Sequence, residues 1–112
     1  MPLKVIRSKQ LIDGTGREPI PGGVVLVDGD RIKAVGRPEE VAVPPEAEAI
    51  DLSDQTVLPG FVDPHSHCVL RAERRTLSLQ MGDPLPRLVL RAANNARADL
   101  LSGVTTMRTL GD

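Results

Sequence analysis

The hydrophobic pattern of this chain changes once, at Pro59-Gly60, and that change limits what the chain can fold into. Before it, short apolar runs are cut by turn residues. After it, one apolar stretch follows the repeat of a helix. Leu3 to Ile12 is centred on Val5 and Ile6, ends at Asp13-Gly14 and reads as a strand. Residues 13–23 hold four glycines and two prolines and read as a loop. Gly23–Val27 and Arg31–Val35 flank Asp28-Gly29-Asp30, a hairpin signal because Gly29 can take the positive φ of a tight reversal. Ile32, Ala34 and Gly36 alternate with Arg31, Lys33 and Val35, which predicts one wet face on that second strand. The proline-rich and glutamate-rich stretch 36–48 reads as a surface connection. Ala49–Leu52 and Gln55–Leu58 predict a further strand pair around Ser53-Asp54. Together these predict a small β-sandwich or folded-over sheet over 1–58, with edges that need covering.

From 59 to 112 the order is strand, loop, helix, strand. Phe61 to Leu70 begins apolar and ends polar, and 71–84 is charged and then loop-like. Asp83 followed by Pro84 is a helix-start signal, with the carboxylate as N-cap and the proline at the first helical position. Leu85, Leu88, Val89, Ala92, Ala93, Ala96 and Leu100 then fall on one helical face and are expected to pack as core. Gly103 is placed to end that helix, and the β-branched run from Val104 to Leu110 reads as a strand. A strand–helix–strand order implies a parallel pair, a βαβ unit, so the fold class is α/β.

Composition excludes several functions. Hydrophobic residues are 40% and charged residues 26%, ordinary values for a folded chain. Fourteen Lys and Arg against fifteen Asp and Glu leave no basic footprint, and the absence of Trp and Tyr removes stacking platforms, so no nucleic-acid partner is expected. No run approaches the roughly 18 apolar residues of a membrane helix, and the N-terminus lacks the pattern of a signal peptide, so no membrane partner is expected either. The single cysteine, Cys68, cannot form an internal disulfide, which fits a cytoplasmic setting.

The chemistry concentrates in His65 and His67, the only histidines. Residues two apart on a strand share a face, so both imidazoles should project together, a natural start for a zinc or other divalent-metal site. The plainer reading is two histidines at a strand end, hydrogen-bonded to backbone or water with no ligand. Their place at the C-terminal end of an apolar strand, where α/β folds put their sites, favours the metal. Asp63 shares their parity and is a candidate to orient a ligand from behind, or else a carboxylate that accepts backbone hydrogen bonds. Cys68 has the opposite parity and reads as a buried packing residue. The cluster Arg71 to Arg75 reads as a solvated loop that could border a substrate mouth.

The run Leu58-Pro59-Gly60-Phe61-Val62-Asp63-Pro64-His65-Ser66-His67 closely resembles the first barrel strand of the amidohydrolase superfamily, with its Pro-Gly-x-x-Asp-x-His-x-His signature. The hairpin from Val25 to Gly36 and the segment Ile50-Asp51-Leu52-Ser53 resemble the sandwich strands and connector that precede it. Leu101 to Arg108 resembles the Gly-x-Thr-Thr-x-Arg second strand of the imidazolonepropionase-like and Xaa-Pro dipeptidase-like branch. In that branch Arg is usually followed by Asp; here Thr109 follows Arg108, so no role for an Arg-Asp pair carries over.

The resemblance implies that 1–58 is an N-terminal β-sandwich segment and that 59–112 starts a (β/α)8 TIM-like barrel as its first βαβ unit. It implies His65 and His67 as ligands of a divalent metal, zinc foremost, in a one- or two-metal site. A metal-activated water would cleave carbon–nitrogen bonds in small amide, cyclic-amide or dipeptide substrates. The family's carboxylated lysine, further histidines and aspartate come from later strands, so this chain should carry no catalytic residue of its own. Its 112 residues are fewer than half of the about 250 a barrel takes, so on this resemblance the chain is expected to be the N-terminal part of a longer enzyme. The alternatives are a non-catalytic β-rich module with a vestigial histidine pair, and one half of a split enzyme completed by a C-terminal chain. A homo-oligomer is a further expectation, since unpaired apolar edges favour self-association.

Overall fold

A computed structural model describes residues 3–71, 74 and 77–111. Contacts group the chain into two compact units, the first ending at Pro59 and the second beginning at Gly60.

The first unit is built around one strand, β1 (Leu3–Leu11), which is paired along both edges. On one edge it runs antiparallel to β2 (Ile20–Pro21) and β3 (Val24–Asp28). Gln10 opposite Pro21 and Arg7 opposite Val24 lie in the same register, so β2 and β3 are one strand interrupted at Gly22-Gly23. The predicted loop 13–23 therefore ends in strand rather than running to Gly23. Gly23 stays in line because it lacks a side chain: a Cβ there would run into Leu11, with Cδ2 only 2.9 Å away. The hairpin from β3 to β4 (Arg31–Gly36) forms as expected, with Gly29 at φ 61°. A bulge at Lys33 breaks the expected alternation and leaves Ile32 exposed.

The strand pair expected around Ser53-Asp54 is instead one strand, β5 (Glu48–Val57), parallel to β1. The turn signal is spent on a bulge: Ser53, Asp54 and Gln55 together oppose Lys9 alone. Asp51 secures it by accepting the Ser53 N–H at 3.0 Å. Hydrogen bonds from Ser53 hold the Asp51 carboxyl below its usual pKa, so its contribution is present above the ordinary carboxylate range and lost as the pH falls through it.

Both faces of this sheet are apolar. Val5, Leu26 and Ala34 are cross-strand neighbours on one face, and Val24 and Leu26 pack there with Val41. Val41 belongs to the connection 37–47, where the Val41 N–H donates to the Arg37 carbonyl and Val43 and Ala47 add cover. The opposite face carries Ile50, Ile6, Val25 and Val35 in a single row. A sheet apolar on both sides is the layer from which a sandwich is made.

In the second unit β6 (Phe61–Ser66) pairs in parallel with β7 (Val104–Thr109), and a helix crosses between them. Together with the first unit's sheet, this is the expected α/β class: a β-rich segment followed by a βαβ unit, with no closed barrel among the described residues. Gly60 leaves room for Thr105, which occupies the space a Cβ would take. A short helix α1 (Leu77–Met81), absent from the sequence-based expectation, precedes α2 (Leu85–Leu101). Gly103, at φ 102°, ends α2 as expected.

Two expectations about α2 fail. Its N-cap is Pro84, without a side-chain cap, because the Asp83 carboxylate is taken by Arg87 and Arg91. The stripe expected as core is largely exposed: Leu85 is 71% and Leu100 61% accessible. The buried residue of α2 is Arg91, flanked on the same face by half-buried Leu88, Ala92, Asn95 and Asp99. The inward stripe is thus polar at its centre, for a reason that lies at the end of β6.

Gly23→Ala should lower the stability of the first unit by roughly 1–3 kcal/mol, the usual cost of forcing a methyl into a filled site. Urea unfolding followed by circular dichroism measures it. An unchanged midpoint would show that Leu11 yields freely.

Candidate metal centre

His65 and His67 stand where β6 gives way to a turn. Asp63 pairs with Met107 and Ser66 with Thr109, so Pro64 and His65 together oppose Arg108 alone. Proline has no N–H to give the ladder, and a bulge there is its usual accommodation. The Asp63 carboxylate takes the displaced His65 N–H at 3.0 Å. Asp63 therefore orients the backbone of His65, and the structure records no hydrogen bond from it to either imidazole. Arg108, opposite this bulge, is exposed.

The two imidazoles meet edge to face, with ring centroids 5.5 Å apart and planes at 61°. With metal–nitrogen bonds of about 2.0–2.1 Å, two imidazoles on one tetrahedral ion hold their centroids roughly 5 Å apart. The observed separation is close to that spacing. Among the described residues no group of three or more His, Cys, Asp or Glu side chains gathers to complete it.

Cys68 is half-buried rather than fully buried, since it lies in the turn beyond the strand. Its thiol meets Met107 Sδ at 3.2 Å. The backbone of this turn is gripped from both helices. Asn95 Nδ2 donates to the carbonyls of Cys68 at 2.7 Å and Leu70 at 2.6 Å. Arg91 Nη1 donates to the Val69 carbonyl at 3.0 Å. Gln80 accepts the Arg71 N–H at 2.7 Å and donates to the Arg71 carbonyl at 3.3 Å. Arg91 Nη2 pairs with the Asp83 carboxylate, both side chains being almost wholly buried (3% and 6% accessible). Sequence reasoning missed these polar anchors. The available signal was Arg91 and Asn95, one helical turn apart among apolar neighbours, where a simple core face should be dry. Of the Arg71–Arg75 cluster, residues 72, 73 and 75 lie outside the described residues, and Arg74 is exposed.

No family model matches the chain. An N-substituted formamide deformylase of Arthrobacter pascens is 50% identical over 50 residues, 43% of this chain and 9% of the deformylase. An imidazolonepropionase of Haloarcula marismortui is 46% identical over 57 residues, 47% of this chain and 13% of that enzyme. A crystal structure of a Xaa-Pro dipeptidase with methionine in its active site superposes with a TM-score of 0.79 at 26% identity, over 98% of this chain and 27% of that one. An amidohydrolase crystal structure gives 0.80 at 28%, over 97% and 25%. The chain is thus similar in sequence to parts of a deformylase and an imidazolonepropionase, and in fold to part of an amidohydrolase and a dipeptidase. The amidohydrolase-like chain matches about a tenth of the length of these curated relatives and about a quarter of each solved neighbour. No helix among the described residues is long and apolar enough to cross a membrane.

Zinc titrated into the chain by calorimetry should bind weakly and one-to-one. His65→Ala and His67→Ala should each remove the signal, whereas Cys68→Ser should leave it unchanged. A signal that survives both histidine changes would place the ion elsewhere.

Proposed function

We propose that this chain is the part of a divalent-metal-dependent amidohydrolase that carries its first two ligands, His65 and His67. On this reading 1–58 is the sandwich segment and 59–112 the first βαβ unit of the catalytic barrel. The observation that carries the proposal is the pair of imidazoles 5.5 Å apart at the end of β6. A divalent ion, zinc foremost, would supply an activated water and a Lewis acid for the scissile carbonyl. His65 and His67 hold that ion through neutral ring nitrogens and move no proton. Asp63 keeps His65 in place through its backbone N–H and is not the base.

The relatives' names favour carbon–nitrogen bonds as the target: a formamide deformylase, an imidazolonepropionase and a Xaa-Pro dipeptidase. We extend this to small amide, cyclic-amide or dipeptide substrates. The chain holds one cysteine, so it can form no internal disulfide, which supports a cytoplasmic setting.

A second reading, for the chain by itself, is a non-catalytic module with a vestigial histidine pair. Catalytic zinc sites use three protein ligands. The 112-residue chain alone should therefore show no zinc-dependent turnover of dipeptide or cyclic-amide substrates. Turnover abolished by His65→Ala would overturn the ligand count. Reading the coding sequence immediately downstream separates the remaining cases. A continuation or adjacent frame with further histidines, a lysine and an aspartate on barrel strands supports the hydrolase. A stop with nothing similar nearby supports the module.

A further inference from the structure

We propose that Asn95 and Arg91 of α2, with Gln80 of α1, are positioning residues for the histidine pair, holding the turn 68–71 so that His65 and His67 keep their mutual geometry. The proposal rests on the metal reading of that pair.

Four consecutive residues after His67 have their backbone held by side chains from the helices. Asn95 takes the Cys68 and Leu70 carbonyls, Arg91 the Val69 carbonyl, and Gln80 both the N–H and the carbonyl of Arg71. The His67 carbonyl itself accepts the Leu70 N–H at 3.2 Å, which ties the ligand's own peptide into the turn. Arg91 is in turn fixed, by Asp83 and by the Gln80 carbonyl at 3.4 Å. On α2 it is the buried Arg91 and the half-buried Asn95 that face this turn. A buried ion pair is a poor source of stability compared with apolar packing, and its better-attested use is to fix one arrangement among several. The held turn, tied to the His67 carbonyl through the Leu70 N–H, restrains the backbone that follows His67, and the direction of the His67 ring depends on that backbone.

The test uses the whole 112-residue chain and zinc alone. Imidazole 15N shifts are followed by NMR, and helix content by circular dichroism. In the parent chain the ring nitrogens of His65 and His67 should shift in step with one zinc. Asn95→Leu, similar in volume but without donors, should keep the helix. It should raise the zinc concentration needed about tenfold, the lower end of what supporting partners contribute. It should also uncouple the two rings, so that they no longer titrate together. Should Asn95→Leu lose its helix, Gln80→Met, which leaves α2 untouched, makes the same comparison. Coupled ring shifts at the parent's zinc concentration in a folded variant would overturn the positioning role while leaving the metal reading intact. A parent chain whose rings ignore zinc would overturn both.

Discussion

A charge buried on a helix must be paired, and the Asp83–Arg91 pair sets how α2 lies on its strands. Removing one partner of such a pair leaves the other uncompensated, at a cost of about 3–5 kcal/mol. With Arg91 Nη2 committed to Asp83, its Nη1 donates to the Val69 carbonyl in the turn after β6 and to the Gln80 carbonyl in α1, while its buried Nε meets no acceptor among the described residues. Asn95, one turn further along, then falls over Cys68 and Leu70. The face that α2 turns toward the end of β6 is thus lined by polar partners.

The same economy shapes the strand end. Pro64 removes a ladder donor, the bulge turns the His65 N–H out of the sheet, and the Asp63 carboxylate takes it up. An aspartate one residue before the proline and a histidine one residue after it therefore form a local unit. The spacing that brings two imidazoles together is the same spacing that lets a carboxylate secure the first of them.

Much of the fold was legible because it rests on short-range chemistry. Gly29 in a tight reversal and Gly103 at a helix end are backbone demands that few other residues meet, and both appear where expected. The two imidazoles do meet, but through a bulge at Pro64-His65 and with His67 beyond the end of β6, not through the regular alternation of a strand. What failed depended on long-range partners. Ser53-Asp54 carries turn chemistry, yet a bulge spends it equally well when β1 offers a free edge. Asp83-Pro84 carries cap chemistry, yet two arginines outbid the helix N-terminus for the carboxylate. The leucine stripe has a core's spacing, but periodicity cannot tell which side of a helix will meet a row of carbonyls. Local sequence names the groups that need partners; only the fold decides which partner each one gets.

On the proposed metal reading, charge limits what the histidine pair can do by itself. Two neutral imidazoles bring two good ligands to a dication and none of the negative charge that would offset its desolvation. The nearest carboxylate in sequence, Asp63, has one oxygen accepting the His65 N–H. Any ion held here must draw its anionic partners from other strands or from water. The polar clamp behind the pair adds no charge toward the ion, since Arg91 is neutralised by Asp83 and Asn95 and Gln80 are uncharged. It can stiffen the ligands without repelling a cation, which a free arginine at the same place would do.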